Sequence, residues 1–150
     1  MREAYLDTSA LAKWYLNEEF SEAVEEFLST LPAAHISSLT RIELRCLLAR
    51  RRRHREISAQ LESRIWGLFH QDIRQGHLRV LALDDGHFGS ALEIMDSLPG
   101  HALRTLDALH LAMVGDAGLR ALATADRIMA SAAGALGLRV EGFFPPPAGP

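Results

Sequence analysis

The chain has 150 residues, of which 48% are hydrophobic and 23% charged, and it carries a formal net charge of −3. A chain of this length buries a core without disulfides or structural metals, and its composition excludes disordered, fibrous and disulfide-framework proteins. The lone cysteine, Cys46, has no partner within the chain, so a reducing, cytoplasmic setting is expected, with Cys46 as a small core residue.

The opening segment "EAYLD" is short and apolar and leads directly into the helical pattern "TSALAKWYL", which places a strand-to-helix junction at Asp7. "FSEAVEEFLSTL" repeats apolar residues at helical spacing and stops at Pro32. "AAHIS" reads as a second strand. A long helix from Leu39 through "LTRIELRCLLARRRRH" and another through "ISAQLESRIWGLFHQDI" suggest a helical hairpin, the second with a stripe of Ile57, Leu61, Ile65, Leu68 and Phe69. A third strand over 78–83, a helix from about Gly86 to Leu98 and a Pro-Gly loop follow. A helix from Thr105 to Gly115, the strand "RALAT", the helix "RIMASAAGAL" and the strand "LRVEGF" complete the pattern. Strands alternating with helices indicate an α/β domain with a mainly parallel central sheet covered on both faces. A single domain over residues 1–144 is expected, with "PPPAGP" at 145–150 as a loose tail.

No stretch approaches the roughly 18 to 20 apolar residues of a membrane span, and "MREAYLD" lacks the layout of a signal peptide. No membrane association is expected. Charge is uneven: residues 41–79 hold ten arginines against four acids, so the remainder carries −9. A basic face on an acidic protein suits an anionic partner.

Four carboxylates stand out. Asp7 and Asp126 each follow a strand and precede a helix, at the sheet edge where open α/β folds bind ligands. Asp is also a favoured helix N-cap, which would explain either one alone. Glu43 projects from the apolar stripe 39, 43, 46, 50 of its helix, so it is either salt-bridged to an arginine such as Arg41 or Arg45, or coordinated. Asp107 lies in "LRTLDALHLAMV", apolar nearly all round, as an N-cap, an ion pair with Arg104 or an inward-facing ligand. Converging on one pocket, the four would repel one another unless cations neutralised them, and hard ions such as Mg²⁺ or Mn²⁺ take oxygen ligands. The hydroxyls of Thr8, Ser9 and Thr124 lie beside these acids and could steady them or start the helices.

The blocks "YLDTSALAKWYL", "SSLTRIELRCLLARR", "LRTLDALHLA" and "LATADRIMASAAGALGL" resemble, in order, the four acidic blocks of the PIN domain family, most closely the VapC-type toxins of bacterial toxin–antitoxin pairs. The resemblance implies a three-layer α/β/α sandwich and an Mg²⁺- or Mn²⁺-dependent endoribonuclease, with the acids at Asp7, Glu43, Asp107 and Asp126. It also implies a homodimer and a small antitoxin partner. The alternative within the same fold is an inactive module that binds RNA or protein without cutting.

Other signals are weaker. Arg50 and Arg51 open the run "RRRRHR", which could follow RNA phosphates or simply face water at a helix C-terminus. Arg104 could meet a phosphate or pair with a neighbouring acid. His110, one turn past Asp107, is expected in a structural hydrogen bond near the pocket, and Trp14, Tyr15, Trp66 and Phe69 in the core or a dimer contact. Phosphoaspartate enzymes and receiver domains also place an Asp after the first strand, but both families use a lysine after a later strand, and the only lysine here is Lys13. Zinc-site, phosphate-loop and serine-elbow motifs are absent from the sequence.

Overall fold

The computed structural model describes residues 2–150. Along the chain run β1 (Tyr5–Leu6), α1 (Thr8–Tyr15), α2 (Ser21–Ser29), β2 (Ala34–Ser37), α3 (Ser38–Arg53), α4 (Ala59–Arg74), β3 (Leu78–Leu81), α5 (Asp85–Ser97), α6 (Thr105–Asp116), β4 (Ala121–Thr124), α7 (Arg127–Ala135) and β5 (Arg139–Gly142). The five strands form one sheet in the order β3-β2-β1-β4-β5, and every pairing is parallel.

Strand alternation divides the core into two layers. Tyr5 and Leu122 face one cluster with Leu109, Met113 and Val114 of α6 and Met129 of α7. Leu6 and Ala123 face the other, with Leu11 of α1, Leu44 and Leu48 of α3, and Ile65 and Phe69 of α4. The α/β/α sandwich expected from the sequence is therefore the fold observed. Helix α6 is the least amphipathic element: Asp107 through Val114 are all buried, because α5 covers the face that the sheet does not.

The strand order also locates the site. From the central β1 the chain moves one way through β2 to β3, and later the other way through β4 to β5. Loops leaving β1 and β4 therefore diverge to opposite sides, opening a crevice at the carboxyl edge between them. Asp7 and Asp126 follow those two strands.

Two details of α3 and α4 differ from the sequence-based expectation. Of the expected face 39, 43, 46 and 50 only Leu39 is buried; the buried row of α3 continues through Thr40, Leu44 and Leu48. Apolar residues wrap most of the way round this helix, so spacing alone did not select the face; packing against Ile65 and Phe69 of the α4 layer does. Cys46 is consequently exposed rather than a core residue, and Ile42 is 61% exposed. Helix α4 begins behind the Ser58 cap, which leaves Ile57 outside it, and only Ile65 and Phe69 of the expected stripe are buried.

Candidate active site

Asp7 ends β1 and caps α1. Its Oδ1 accepts from the Ala10 backbone N–H at 3.0 Å and from Ser9 Oγ at 2.7 Å, and its Oδ2 accepts from Thr124 Oγ1. Asp126 caps α7, with Oδ1 taking the N–H groups of Ile128 at 2.8 Å and Met129 at 3.2 Å. Asp107 lies in the first turn of α6, where Oδ2 accepts from the Arg104 backbone N–H at 2.9 Å. The capping reading is thus correct for Asp7 and Asp126, whereas α6 is capped by Arg104 and Asp107, its third residue, meets the ion-pair reading instead. Each backbone contact occupies one carboxylate oxygen; the second is taken by Thr124 in Asp7, lies 3.7 Å from Arg104 in Asp126, and accepts no hydrogen bond among the described residues in Asp107.

Glu43 pairs with neither Arg41 nor Arg45; Arg45 instead meets Glu62 at 2.9 Å. Its Oε1 is bonded to His110 Nε2 and accepts from Thr8 Oγ1 at 3.1 Å. The Arg104 guanidinium spans the other two acids, with Nε 3.4 Å from Asp107 Oδ2 and a terminal nitrogen 3.7 Å from Asp126 Oδ2.

These contacts close a circuit. Asp7 joins Thr124, whose hydroxyl accepts from the Asp126 N–H at 3.0 Å; Asp126 joins Arg104 and Asp107; one helical turn leads to His110, then Glu43, then Thr8 beside Asp7. One network of contacts thus links the four acids at the crevice. Ser9 ties the ring across its middle, donating to Asp7 while accepting from the Ala125 N–H at 2.8 Å.

Burial raises the Asp7 carboxyl above its ordinary range, opposed by the hydrogen bonds from Thr124, Ser9 and Ala10. Tyr5 is likewise pushed up, mainly by burial. A carboxylate buried in this way is the arrangement a cation relieves.

Among the described residues, no three acidic, histidine or cysteine side chains close into a ready-made cage. Mg²⁺ keeps several of its waters and touches only one or two carboxylates directly, and Asp107 Oδ1 and Glu43 Oε2, which accept no hydrogen bond among the described residues, are the oxygens open to it. The donor set is oxygen alone, since the one imidazole on the ring spends both nitrogens on Glu43 and Tyr5.

The remaining sequence candidates fall outside the ring. Arg51 is engaged by Glu18 at 3.3 Å and Glu56 at 3.2 Å. Arg50 is exposed near the far end of α3. Trp14, Tyr15 and Trp66 pack against the α4-side core, and Phe69 is buried in it. Sequence reasoning missed Tyr5 and Ser37, which stand behind His110. Strand alternation was a usable signal for Tyr5, since residues two apart point to the same face and Tyr5 precedes Asp7 by two.

Comparison with known proteins identifies the family of this fold. A family model described as PIN domain matches residues 4–135. Ribonuclease VapC46 of Mycobacterium tuberculosis is 34% identical over 143 residues, covering 93% of this chain and 97% of that protein. Among solved structures, the sarcin-ricin loop cleaving toxin VapC20 of M. tuberculosis superposes with a TM-score of 0.69 at 19% identity, over 91% of this chain and 98% of that one. DNA-bound VapBC from Salmonella typhimurium gives 0.68 at 23%, over 95% and 99%. A toxin–antitoxin complex from Klebsiella pneumoniae gives 0.57 at 16%, over 82% and 86%. With four acids gathered at the crevice of a parallel sheet and a family model matched along most of its length, the chain belongs to the PIN domain family.

Proposed function

We propose that this protein is a divalent-metal-dependent endoribonuclease that hydrolyses RNA phosphodiester bonds, acting as the toxin of a toxin–antitoxin pair. The observation that carries the reading is the closed ring of Asp7, Glu43, Asp107 and Asp126 with one oxygen of each tethered by the protein. The ribonuclease relative matched over nearly the whole chain supports the activity.

In this reading Asp7, Glu43, Asp107 and Asp126 would hold Mg²⁺ or Mn²⁺. When bound, the ion supplies the Lewis acidity that activates water and offsets charge on the phosphate. The chain supplies positioning. Backbone N–H groups of α1, α6 and α7 fix the three aspartates, while Thr8, Ser9 and Thr124 restrain carboxylate rotation. Arg104, with a side chain 79% exposed, stands at the rim where it can leave its acids for an RNA phosphate. Arg50 and Arg51 offer a second, outlying phosphate track; Arg51 must first part from Glu18 and Glu56.

The relatives found as VapBC and toxin–antitoxin assemblies support a cognate antitoxin. Phe88 and Leu92 of α5 and Leu106 of α6 leave an apolar strip exposed, suited to a second copy of the chain in a homodimer. No described helix is long and apolar enough to cross a membrane, and we assign the protein to the cytoplasm.

Calorimetric titration of Mn²⁺ into the purified protein and an Asp7→Asn variant tests the site. Binding to the wild type and its loss in the folded variant is expected. No binding to either returns the acids to capping roles and favours a binding module of the same fold.

A further inference from the structure

The four acids are not held alike. Asp7, Asp107 and Asp126 sit at helix starts, where backbone N–H groups have no intrahelical partner and grip one carboxylate oxygen. Glu43 is the sixth residue of α3. There the backbone N–H groups are spent within the helix, so no such grip is available to the longest and most rotatable of the four side chains. It is held by side chains instead.

We propose that His110 is the positioning residue for Glu43, turning it so that a single oxygen faces the cation. The inference rests on the reading of Glu43 as a metal ligand. His110 is 2% exposed and is bonded at both ring nitrogens. Nε2 meets Glu43 Oε1, and since an ionised carboxylate carries no hydrogen, the hydrogen of that contact is on the ring. Nδ1 lies 2.6 Å from the Tyr5 hydroxyl, which donates to Ser37 Oγ at 2.8 Å. The Tyr5 ring also stands edge-on to the imidazole, with centroids 5.7 Å apart.

The far end of this relay is rigid. Ser37 ends β2 and caps α3, its backbone N–H donating to Thr40 Oγ1 at 3.2 Å. Tyr5 and Ser37 are both fully buried in adjacent strands. The imidazole is thus braced against the sheet, and Glu43 is braced against the imidazole. With Thr8 also donating to Oε1, this oxygen is engaged twice, while Oε2 has no hydrogen bond among the described residues. Outer partners of this kind commonly govern affinity by about 10- to 100-fold.

The test is calorimetric titration of Mn²⁺ into the full chain and three variants, each checked for folding by circular dichroism and thermal melting. In His110→Asn the shorter amide reaches toward Tyr5 but not Glu43, and Mn²⁺ affinity is expected to fall about 10- to 100-fold. His110→Gln carries its amide nitrogen near the Nε2 position, and affinity is expected to recover to within about 3-fold of wild type. Tyr5→Phe removes the brace alone and is expected to weaken binding less than His110→Asn.

A purely structural histidine would lower the melting temperature of both His110 variants and leave affinity unchanged in those that fold. Wild-type affinity in folded His110→Asn therefore overturns the inference while the metal reading stands. Should that variant not fold, unchanged affinity in Tyr5→Phe has the same force. Absence of Mn²⁺ binding in the wild type overturns the metal reading and this inference together.

Discussion

The two ends of α3 handle charge in opposite ways. At its start a single carboxylate, Glu43, is held by Thr8 and by His110, itself braced on the buried Tyr5 and Ser37. At its finish four consecutive arginines, Arg50 to Arg53, stand in the last turn, and the pairs they form with Glu18, Glu56 and Glu62 are at least partly exposed. Water competes for every contact at the second end and for few at the first. One helix therefore carries a fixed charge at one end and adjustable charges at the other, and substitutions at the two ends should differ sharply.

The largest difference is expected in chemistry. Glu43→Ala should lower RNA cleavage about a thousandfold, reflecting several kcal/mol of lost metal-assisted stabilisation, measured against bulk RNA with a folded variant. A comparable rate in that variant would break the contrast. Next is stability: Ser37→Ala removes one of the two partners of the buried Tyr5 hydroxyl, which keeps His110 Nδ1, and should cost about 0.5–1.5 kcal/mol in denaturant unfolding.

Asp7→Asn should act in the other direction. Burial raises the Asp7 carboxyl, so the folded protein binds its proton more tightly than the unfolded chain does. In the metal-free protein this contribution opposes folding as pH rises from the ordinary aspartate range, about 4, through the raised folded value, and the cost persists above it. The variant retains a capping side chain without the charge, so its melting temperature at neutral pH should equal or exceed wild type while Mn²⁺ binding is lost. Melting curves of both proteins from pH 4 to 8 would show the gap closing at the acid end.

At the arginine end, Arg52→Ala should change stability by no more than about 1 kcal/mol, since its contact with Glu62 is 3.6 Å and half-exposed and Arg45 also serves that glutamate. The smallest effect is expected for Arg53→Ala: no change in stability, and if this end follows RNA, a salt-dependence slope reduced by about 0.7 in filter binding.

Much of this architecture was legible in the sequence because its signals were local. Asp7 and Asp126 announce themselves by the change from strand to helix period on either side, and "LDALHLAM" by its lack of a polar face. The order of the sheet was not legible, since it depends on pairings between strands more than a hundred residues apart. The buried row of α3 was misjudged because its apolar residues wrap the helix, and Cys46 was misplaced with it. The partner of Glu43 was sought among neighbouring arginines, yet the nearest donors in space are 35 and 67 residues away. Sequence spacing shows which face a residue takes, and only tertiary packing shows what meets it there.

The central position of β1 also bears on the protein's synthesis. Asp7 is among the first residues made, but its Thr124 partner and the strand β4 beside it are among the last, and the Asp7 N–H itself bonds the Ala123 carbonyl. At about 5–20 residues per second, the 119 residues from Thr8 to Asp126 take about 6–24 s to translate. Throughout that interval the nascent chain has three of its carboxylates at most and no edge on which to gather them. A site wired across nearly the whole chain is completed in one late step, once β4 has joined β1.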